Sequence, residues 1–398
     1  MADKMKAVVL HAKWEPKPEF KLGPKDIDGK LTYLGSKVWR YPEVRVEEVD
    51  VPKIESPTDV IIEVKASGIC GSDVHMAQAD EEGYIFYPGL TAFPTILGHE
   101  FSGIVKEAGE EAINRRTRKR FEPGEPVMAE EMLWCGHCRP CVDGFPNHCE
   151  NLQELGFSVN GSFAQYLKVD AKYVWSLHDL KRRYEGEELF LAGSLVEPAS
   201  VAYNGIVNRA GGIQPGQNAV VVGAGPIGLS AISILKHMGA AKVIASEPSE
   251  VRREYAKKLG ADYVIDPLKE NFKEAVLEYT EGMGASLYIE ASGVGDIVIP
   301  QIEEVIWEGR GINATVLIIA RAPRKVPIDP EVYQVRRSRI IGTQGHSGHS
   351  VFPNVISLMA SGMDTRPMIT KKITLDEVPE YIKLLQTDKN QVKVTALL

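Results

Sequence analysis

The pattern of apolar and polar positions changes its period once, near residue 200. Before that point short runs dominate. In residues 59–66, Val60, Ile62, Val64 and Ala66 fall on one face, the two-residue period of a half-buried strand. Residues 101–108, 126–133 and 163–177 carry similar runs, so a strand-rich, irregular first domain is predicted. From about Pro198 apolar runs alternate with helix-length segments. Strands are predicted at 218–223, 242–247, 263–266, 287–291, 315–320 and 339–342, with helices at 226–238, 249–259 and 271–280. Such alternation predicts one doubly wound α/β sheet of six parallel strands with crossover helices. After Gly345 come a helix near 350–360, a capped helix opening at Thr374 and Glu377, and a closing strand near 392–397. The tail is expected to return to the first domain, which then comprises residues 1–197 and 345–398, with 198–344 as the second. No internal repeat or low-complexity tract interrupts this reading.

The first strand of the second domain leads into Gly223-Ala224-Gly225-Pro226-Ile227-Gly228, which opens a helix. In a dinucleotide-binding (Rossmann) turn the first glycine permits the tight bend and the second lets backbone approach a pyrophosphate. The third lets helix pack on strand, with phosphate at the helix N-terminus. Glu247 ends the next strand, where a carboxylate accepts hydrogen bonds from ribose hydroxyls and repels a 2′-phosphate. NAD is the expected cofactor. Arg252 and Arg253 follow that strand and leave NADP open, since basic residues there also pair with a 2′-phosphate. A glycine turn needed only for packing, with Glu247 an ordinary surface acid, is the alternative.

Composition narrows the partners. The 398 residues carry 46 basic and 54 acidic side chains, a formal charge of −8, which argues against nonspecific attraction to nucleic acid or anionic membrane. No apolar run approaches the ~20 residues needed to cross a bilayer, and residues 1–10 lack a signal-peptide core. A cytoplasmic setting is expected. The basic run at 115–120 reads as a solvated loop, with an anion-binding surface as the lesser alternative.

Four of the five cysteines, Cys135, Cys138, Cys141 and Cys149, have the spacing CxxCxxCx7C. Four thiolates complete a tetrahedral zinc shell with no position left for substrate, so a structural zinc lobe over residues 134–150 is predicted. An iron-sulfur cluster is the competing reading. The fifth, Cys70, precedes Ser72, Asp73 and His75, and Gly98, His99 and Glu100 follow. A thiolate, an imidazole and a carboxylate can hold Zn²⁺ with one position open, as Lewis-acid catalysis requires. Taken singly these residues have plainer readings: a small buried hydrophobe, a satisfied core histidine, a surface charge.

Together, in this order, the Cys70 segment, His99-Glu100, the four-cysteine lobe, Glu197-Pro198, the glycine turn and Glu247 resemble the zinc-dependent medium-chain dehydrogenases over nearly the whole chain. The family includes alcohol, sorbitol, butanediol and threonine dehydrogenases. The resemblance implies a GroES-like catalytic domain beside the Rossmann domain, two Zn²⁺ per chain, NAD, and a homodimer or homotetramer. It implies catalytic-zinc ligands among Cys70, His99, Glu100 and Glu197, with Asp73 orienting the imidazole of His99, and Ser72 and His75 relaying a proton to solvent. It also brings Gly223, Gly225, Pro226, Ile227, Gly228, Glu247 and Arg252 to the cofactor. The chain departs from alcohol dehydrogenases at Glu197, where those enzymes carry cysteine. Glutamate there resembles the polyol branch, and a carboxylate-rich shell makes the metal a harder acid suited to a hydroxyl-rich substrate.

The function so implied is hydride transfer between a polyol or cyclic polyol, inositol-derived or sorbitol-like, or the matching ketone, and NAD. Threonine and 2,3-butanediol oxidation are the alternatives within the family, and an NAD-binding regulator without turnover is the alternative outside it. Residues 12–40, 78–94 and 177–192 look like insertions able to reshape access to a cleft. Residues 345–349 are expected near the nicotinamide, their polar content suiting a polyhydroxylated substrate, with a mobile turn as the alternative.

Overall fold

The computed structural model describes residues 3–321 and 324–398. It divides into two compact units, one of Met1–Glu197 with Ile369–Leu398 and one of Pro198–Met368. The return to the first unit therefore comes later than the expected residue 345. The physical reason is local: Asn204 Nδ2 donates to the Gly345 carbonyl at 2.9 Å, and Asn354 Nδ2 donates to the Tyr203 hydroxyl at 3.1 Å. His237 and Ser361 are also joined at 2.9 Å. These bonds hold the helix Val351–Ser361 to the second unit.

In the first unit, Lys4–Trp14 and Trp39–Asp50 form a long antiparallel ribbon, paired from Lys4 opposite Asp50 to Trp14 opposite Trp39 with a shift of register between His11 and Lys13. Its open end is closed by edge-on packing of Trp14 on Trp39, with ring centroids 5.0 Å apart. Most of the expected insertion at 12–40 is thus the excursion between two strands. The seven-stranded sheet runs Val174–Ser176, Pro126–Ala129, Glu100–Ala108, Asp59–Gly68, Lys393–Leu397 and Ile369–Thr374, with Tyr166–Asp170 also paired to Asp59–Gly68. Val60, Ile62 and Val64 are buried, as their period predicts, with Phe101, Val105, Leu167 and Val169 in the same core. Residues 126–133 and 163–177 are each broken into two strands.

The supposed insertion at 177–192 contributes the helix Gly186–Ser194, laid on the sheet. A side chain at Gly193 would meet Leu177 and Ser102 at 2.5 and 2.7 Å, so the helix lies close enough for only a hydrogen there. The basic loop is exposed but anchored: Arg116 donates to Asp179 at 2.9 Å and the Arg115 guanidinium lies 4.0 Å from the Trp175 ring centroid.

The second unit carries a six-stranded parallel sheet in the order Tyr263–Ile265, Lys242–Ser246, Asn218–Val222, Leu287–Glu290, Thr315–Ile318 and Arg339–Gly342. This is the Rossmann order, with the direction of winding reversing between Asn218–Val222 and Leu287–Glu290. One crossover helix, Gly295–Glu308, was not legible because glycines precede it and Pro300 interrupts it. Val298, Ile299, Ile302, Val305 and Ile306 are nonetheless buried. Each such burial contributes about 1.5–3 kcal/mol, so together they outweigh the ~3 kcal/mol that an interior proline costs. Among the described residues no helix is long and apolar enough to cross a membrane.

The closest approach in the second unit is at Gly228, where a Cβ would lie 1.9 Å from the Gly223 carbonyl oxygen. Replacement by alanine forces helix from strand. Gly228→Ala is expected to destabilise by about 1–3 kcal/mol, the usual range for overpacking. A urea-unfolding midpoint unchanged from the native chain would contradict that packing.

Candidate active site and metal centres

Strand register assembles the first centre. Asp59–Gly68 and Glu100–Ala108 run antiparallel with Gly68 opposite Glu100, so the residues just after one strand meet those just before the other. Ligand atoms of Cys70, His99 and Glu100 consequently lie within 4.8 Å of one another. Gly68 must lack a side chain, because a Cβ there would sit 2.6 Å from Glu100 Oε2. Asp73, fully buried, accepts from the Cys70 N–H at 2.9 Å and from the Gly98 N–H at 3.2 Å, clamping the two segments. Its closest approach to His99 Nδ1 is 3.8 Å, an ion-pair separation rather than the orienting hydrogen bond expected.

His99 is buried against Phe157, its Nδ1 without a hydrogen-bond partner. Burial opposes its charge, but Asp73, Cys70 and Glu197 outweigh that and hold the imidazole well above its ordinary pKa. A buried nitrogen in such anionic company, beside a thiol and a carboxylate, is the environment a divalent cation satisfies. The donor set fits zinc. Glu197, also buried, acts electrostatically on both His99 and Glu100.

Ser72 and His75 lie on the short helix Gly71–Ala77, three residues apart and hence on one face. His75 is exposed at the residue level. Partial enclosure of its ring, and then the Lys389 ammonium, hold it below the usual imidazole pKa, so it is neutral and able to accept a proton at pH 7.

In the second centre the sulfurs of Cys135, Cys138, Cys141 and Cys149 lie within 4.8 Å of one another. The Cys138–Cys149 separation is 3.8 Å. That is far beyond a disulfide bond and matches the ~3.8 Å edge of a tetrahedron with zinc–sulfur bonds of about 2.3 Å. Backbone N–H groups of Cys135, Cys138, Glu150 and Asn151 donate to the sulfurs at 3.2–3.4 Å. The first excursion braces this lobe through Lys25, which donates to the Glu150 carbonyl at 2.8 Å.

In the second unit each glycine of the turn has its own steric reason. Gly223 is left-handed at φ +95° and presses on Ala291 and Ser292, Gly225 faces open space, and Gly228 touches the Gly223 carbonyl. Pro226 and Ile227 open the helix Pro226–His237, with Gly225 as its N-cap. Glu247 is buried and already accepts from the Ala224 N–H at 2.8 Å and the Ser249 N–H at 2.9 Å. Arg253 donates to the Glu247 and Pro248 carbonyls at 2.8 Å and pairs with Asp266 at 3.1 Å. Arg252 donates its backbone N–H to Ser249 in the helix cap. His346 and Ser347 are buried, the imidazole packed edge-on against Phe352, rather than forming a mobile turn.

The same arrangement recurs in known proteins. Residues 56–179 match the alcohol dehydrogenase GroES-like domain and residues 226–361 match the zinc-binding dehydrogenase model. Over 99% of this chain and 100% of the relative, the sequence is 72% identical to scyllo-inosose 3-dehydrogenase of Thermotoga maritima. It is 33% identical to L-threonine 3-dehydrogenase of Caldanaerobacter subterraneus subsp. tengcongensis, over 90% of this chain and 96% of that one. A solved structure from T. maritima superposes with a TM-score of 0.98 at 72% identity, covering 99% of this chain and 100% of that one. The chain belongs to the zinc-binding dehydrogenases. Its first unit is the GroES-like domain of that family and its second the Rossmann domain.

Two residues of this dehydrogenase escaped the sequence reading. Lys393, on the closing strand, is buried and pairs with Glu100, and donates to the Ile69 carbonyl at 3.0 Å. Burial disfavours its charge, but Glu100, Cys70 and Glu197 prevail and hold the ammonium above its usual pKa. Glu131 is buried with its carboxylate within 4.8 Å of that of Glu197, while neighbouring Glu130 accepts from the indoles of Trp134 and Trp175. Neither carries a local motif; a lysine opening a strand of mostly apolar residues was the one available signal.

Lys393→Met leaves Glu100 buried without its cation and is expected to destabilise by about 3–5 kcal/mol. Adding Glu100→Gln should recover much of that loss, and a double variant no more stable than the single would refute the pairing. At the four-cysteine lobe, N–H donation led by His137 lowers the Cys135 thiol to about 5, while burial pushes Cys141 up to about 12. Only the thiolate is nucleophilic. Metal-stripped protein at neutral pH should therefore be alkylated by iodoacetamide at Cys135 before Cys141, as peptide mass spectrometry would report.

Proposed function

We propose that this dehydrogenase transfers hydride between a cyclic polyol of the inositol type and its ketone, with scyllo-inosose as the ketone and NAD as the cofactor. It would hold two zinc ions per chain, one structural and one catalytic, and act as a cytoplasmic homodimer or homotetramer. Full-length similarity to an enzyme named for scyllo-inosose carries the substrate assignment. The donor set supports it, since one thiol among carboxylates favours a hard metal centre and oxygen-rich ligands.

In this reading Cys70 and His99, with Glu100 or Glu197, hold the catalytic zinc, and Cys135, Cys138, Cys141 and Cys149 the structural one. The catalytic ion supplies Lewis acidity that lowers the pKa of a substrate hydroxyl. Ser72 takes the hydroxyl proton and His75 passes it to solvent. Bound NAD supplies the hydride acceptor. In the oxidation the carbinol carbon loses hydride and its oxygen loses a proton, giving ketone, NADH and H⁺. Gly225, with open space where a side chain would be, would leave room for the pyrophosphate, and Glu247 would accept from the ribose hydroxyls. Arg253, engaged by Asp266 and two carbonyls, is not poised for a 2′-phosphate, which favours NAD over NADP.

A panel of inositols and inososes, sorbitol, 2,3-butanediol and threonine, run with NAD and with NADP, tests the assignment. The inositol-type pair with NAD should give the largest kcat/KM; faster turnover of threonine would reject the substrate. Cys70→Ser should remove the catalytic metal and turnover while sparing NADH binding. For the relay, His75→Asn is expected to lower kcat by about 10²–10⁴-fold, the range for general acid-base groups. Because the His75 pKa is lowered, the native rate should rise with pH through a value below 6.5 as the ring loses its proton. That limb should be absent from the variant.

A further inference from the structure

The second unit buries a carboxylate that none of the steps above uses. Glu290 ends the strand Leu287–Glu290 and lies opposite Val222, the residue immediately before Gly223. This is where the winding of the sheet reverses, the place where doubly wound folds receive their ligands. Its side chain is wholly buried. One oxygen, Oε1, accepts three hydrogen bonds: from the Ser292 N–H at 2.8 Å, the Gly293 N–H at 2.9 Å and the Ser292 hydroxyl at 2.5 Å. The other, Oε2, has no hydrogen-bond partner among the described residues.

The turn that Glu290 holds is the wall against which the glycine turn is built. A Cβ on Gly223 would come within 2.8–2.9 Å of the Ala291 carbonyl and Ser292 Cα, and the Ala291 N–H donates to the Val222 carbonyl at 2.9 Å. On the other side the Glu290 carbonyl accepts from the Ile319 and Ala320 N–H groups at 3.0 and 3.2 Å. The side chain of Glu290 thus holds its own turn and its carbonyl ties that turn to the loop after Thr315–Ile318, while the adjoining Ala291 N–H ties it to Val222. Gly293 is left-handed at φ +79°, a conformation that a carboxylate drawing in two successive N–H groups stabilises.

Stability alone does not account for the choice of residue. Burying a carboxyl group with one oxygen unsatisfied is costly, whereas a serine or asparagine cap draws in the same N–H groups without that second buried oxygen. We propose that Glu290 is a positioning residue for the dinucleotide: by fixing residues 291–293 against Gly223 it sets the floor of the cofactor crevice before the cofactor arrives. The inference rests on the reading of residues 223–228 as the NAD site.

The test measures NADH affinity of the full-length, zinc-loaded protein by fluorescence, with zinc content and unfolding midpoint recorded alongside. Glu290→Gln keeps the Oε1 acceptor and should bind within about threefold of the native chain. Glu290→Ala removes it and should weaken binding about tenfold or more, because a turn no longer held in advance must be ordered when the cofactor binds. Gly293→Ala strains the same turn without touching the carboxylate, since the nearest atom to its Cβ is the Arg321 carbonyl at 3.4 Å, and it should weaken binding too. Unchanged affinity in Glu290→Ala or in Gly293→Ala overturns the proposal, as does equal weakening by Gln and Ala. If Glu290→Ala does not fold, the Gly293→Ala and Glu290→Gln results decide. Should the native chain bind NADPH and not NADH, the NAD assignment fails, and the same comparison run with NADPH still judges Glu290.

Discussion

The antiparallel register that sets Gly68 opposite Glu100 is the constraint on which the first unit's chemistry depends. Cys70 and His99 are distant in sequence, and neither has a reason to meet the other except that two strands end side by side. Asp73 makes the meeting rigid by accepting from the N–H groups of Cys70 and Gly98. A slip of one residue would turn alternate side chains to the opposite face and would separate thiol from imidazole. Burial of Val60, Ile61, Ile62 and Val64 along the same strand opposes that slip, and the pairing takes up its irregularities between Ile61 and Ile62 and between Val64 and Ala66, before it reaches Gly68.

The centre also gathers more negative charge than a protein interior ordinarily tolerates. Asp73, Glu100 and Glu197 are all buried within electrostatic reach of His99 or Lys393, with Glu131 beside Glu197. Lys393 balances part of this as an ion pair with Glu100. An isolated buried carboxylate is costly unless paired, so the remaining excess makes the pocket selective for a cation. Zinc binding in this family and the burial of these acids are then two statements of one electrostatic fact.

Legibility in the sequence followed from how local each feature is. The glycine turn and the CxxCxxCx7C lobe are contiguous, and the structure brings their atoms together within one loop each. The period of the Rossmann strands was equally readable, because parallel strands buried on both faces are nearly unbroken apolar runs. Features resting on pairing across the chain were harder. Trp39–Asp50 contains Pro42 and many charged residues, so the ribbon with Lys4–Trp14 was not predicted. Lys393 acquires meaning only through Glu100, and the return at Ile369 only through the bonds holding residues 345–361 to the second unit.

In the second unit two strand-ending glutamates perform one task. Glu247 accepts from Ala224 in the glycine turn and from Ser249 at the next helix cap; Glu290 accepts from Ser292 and Gly293 in the neighbouring turn. Each sits where the sheet's hydrogen-bond ladder stops and the loops that follow would otherwise leave backbone N–H groups unsatisfied. A carboxylate suits that position because it accepts several donors at once in a charge-assisted geometry. Loops fixed this way lose little further freedom when a ligand binds, so more of the contact energy remains as affinity. The order of these turns is therefore a property of two side chains at strand ends as much as of the glycines between them.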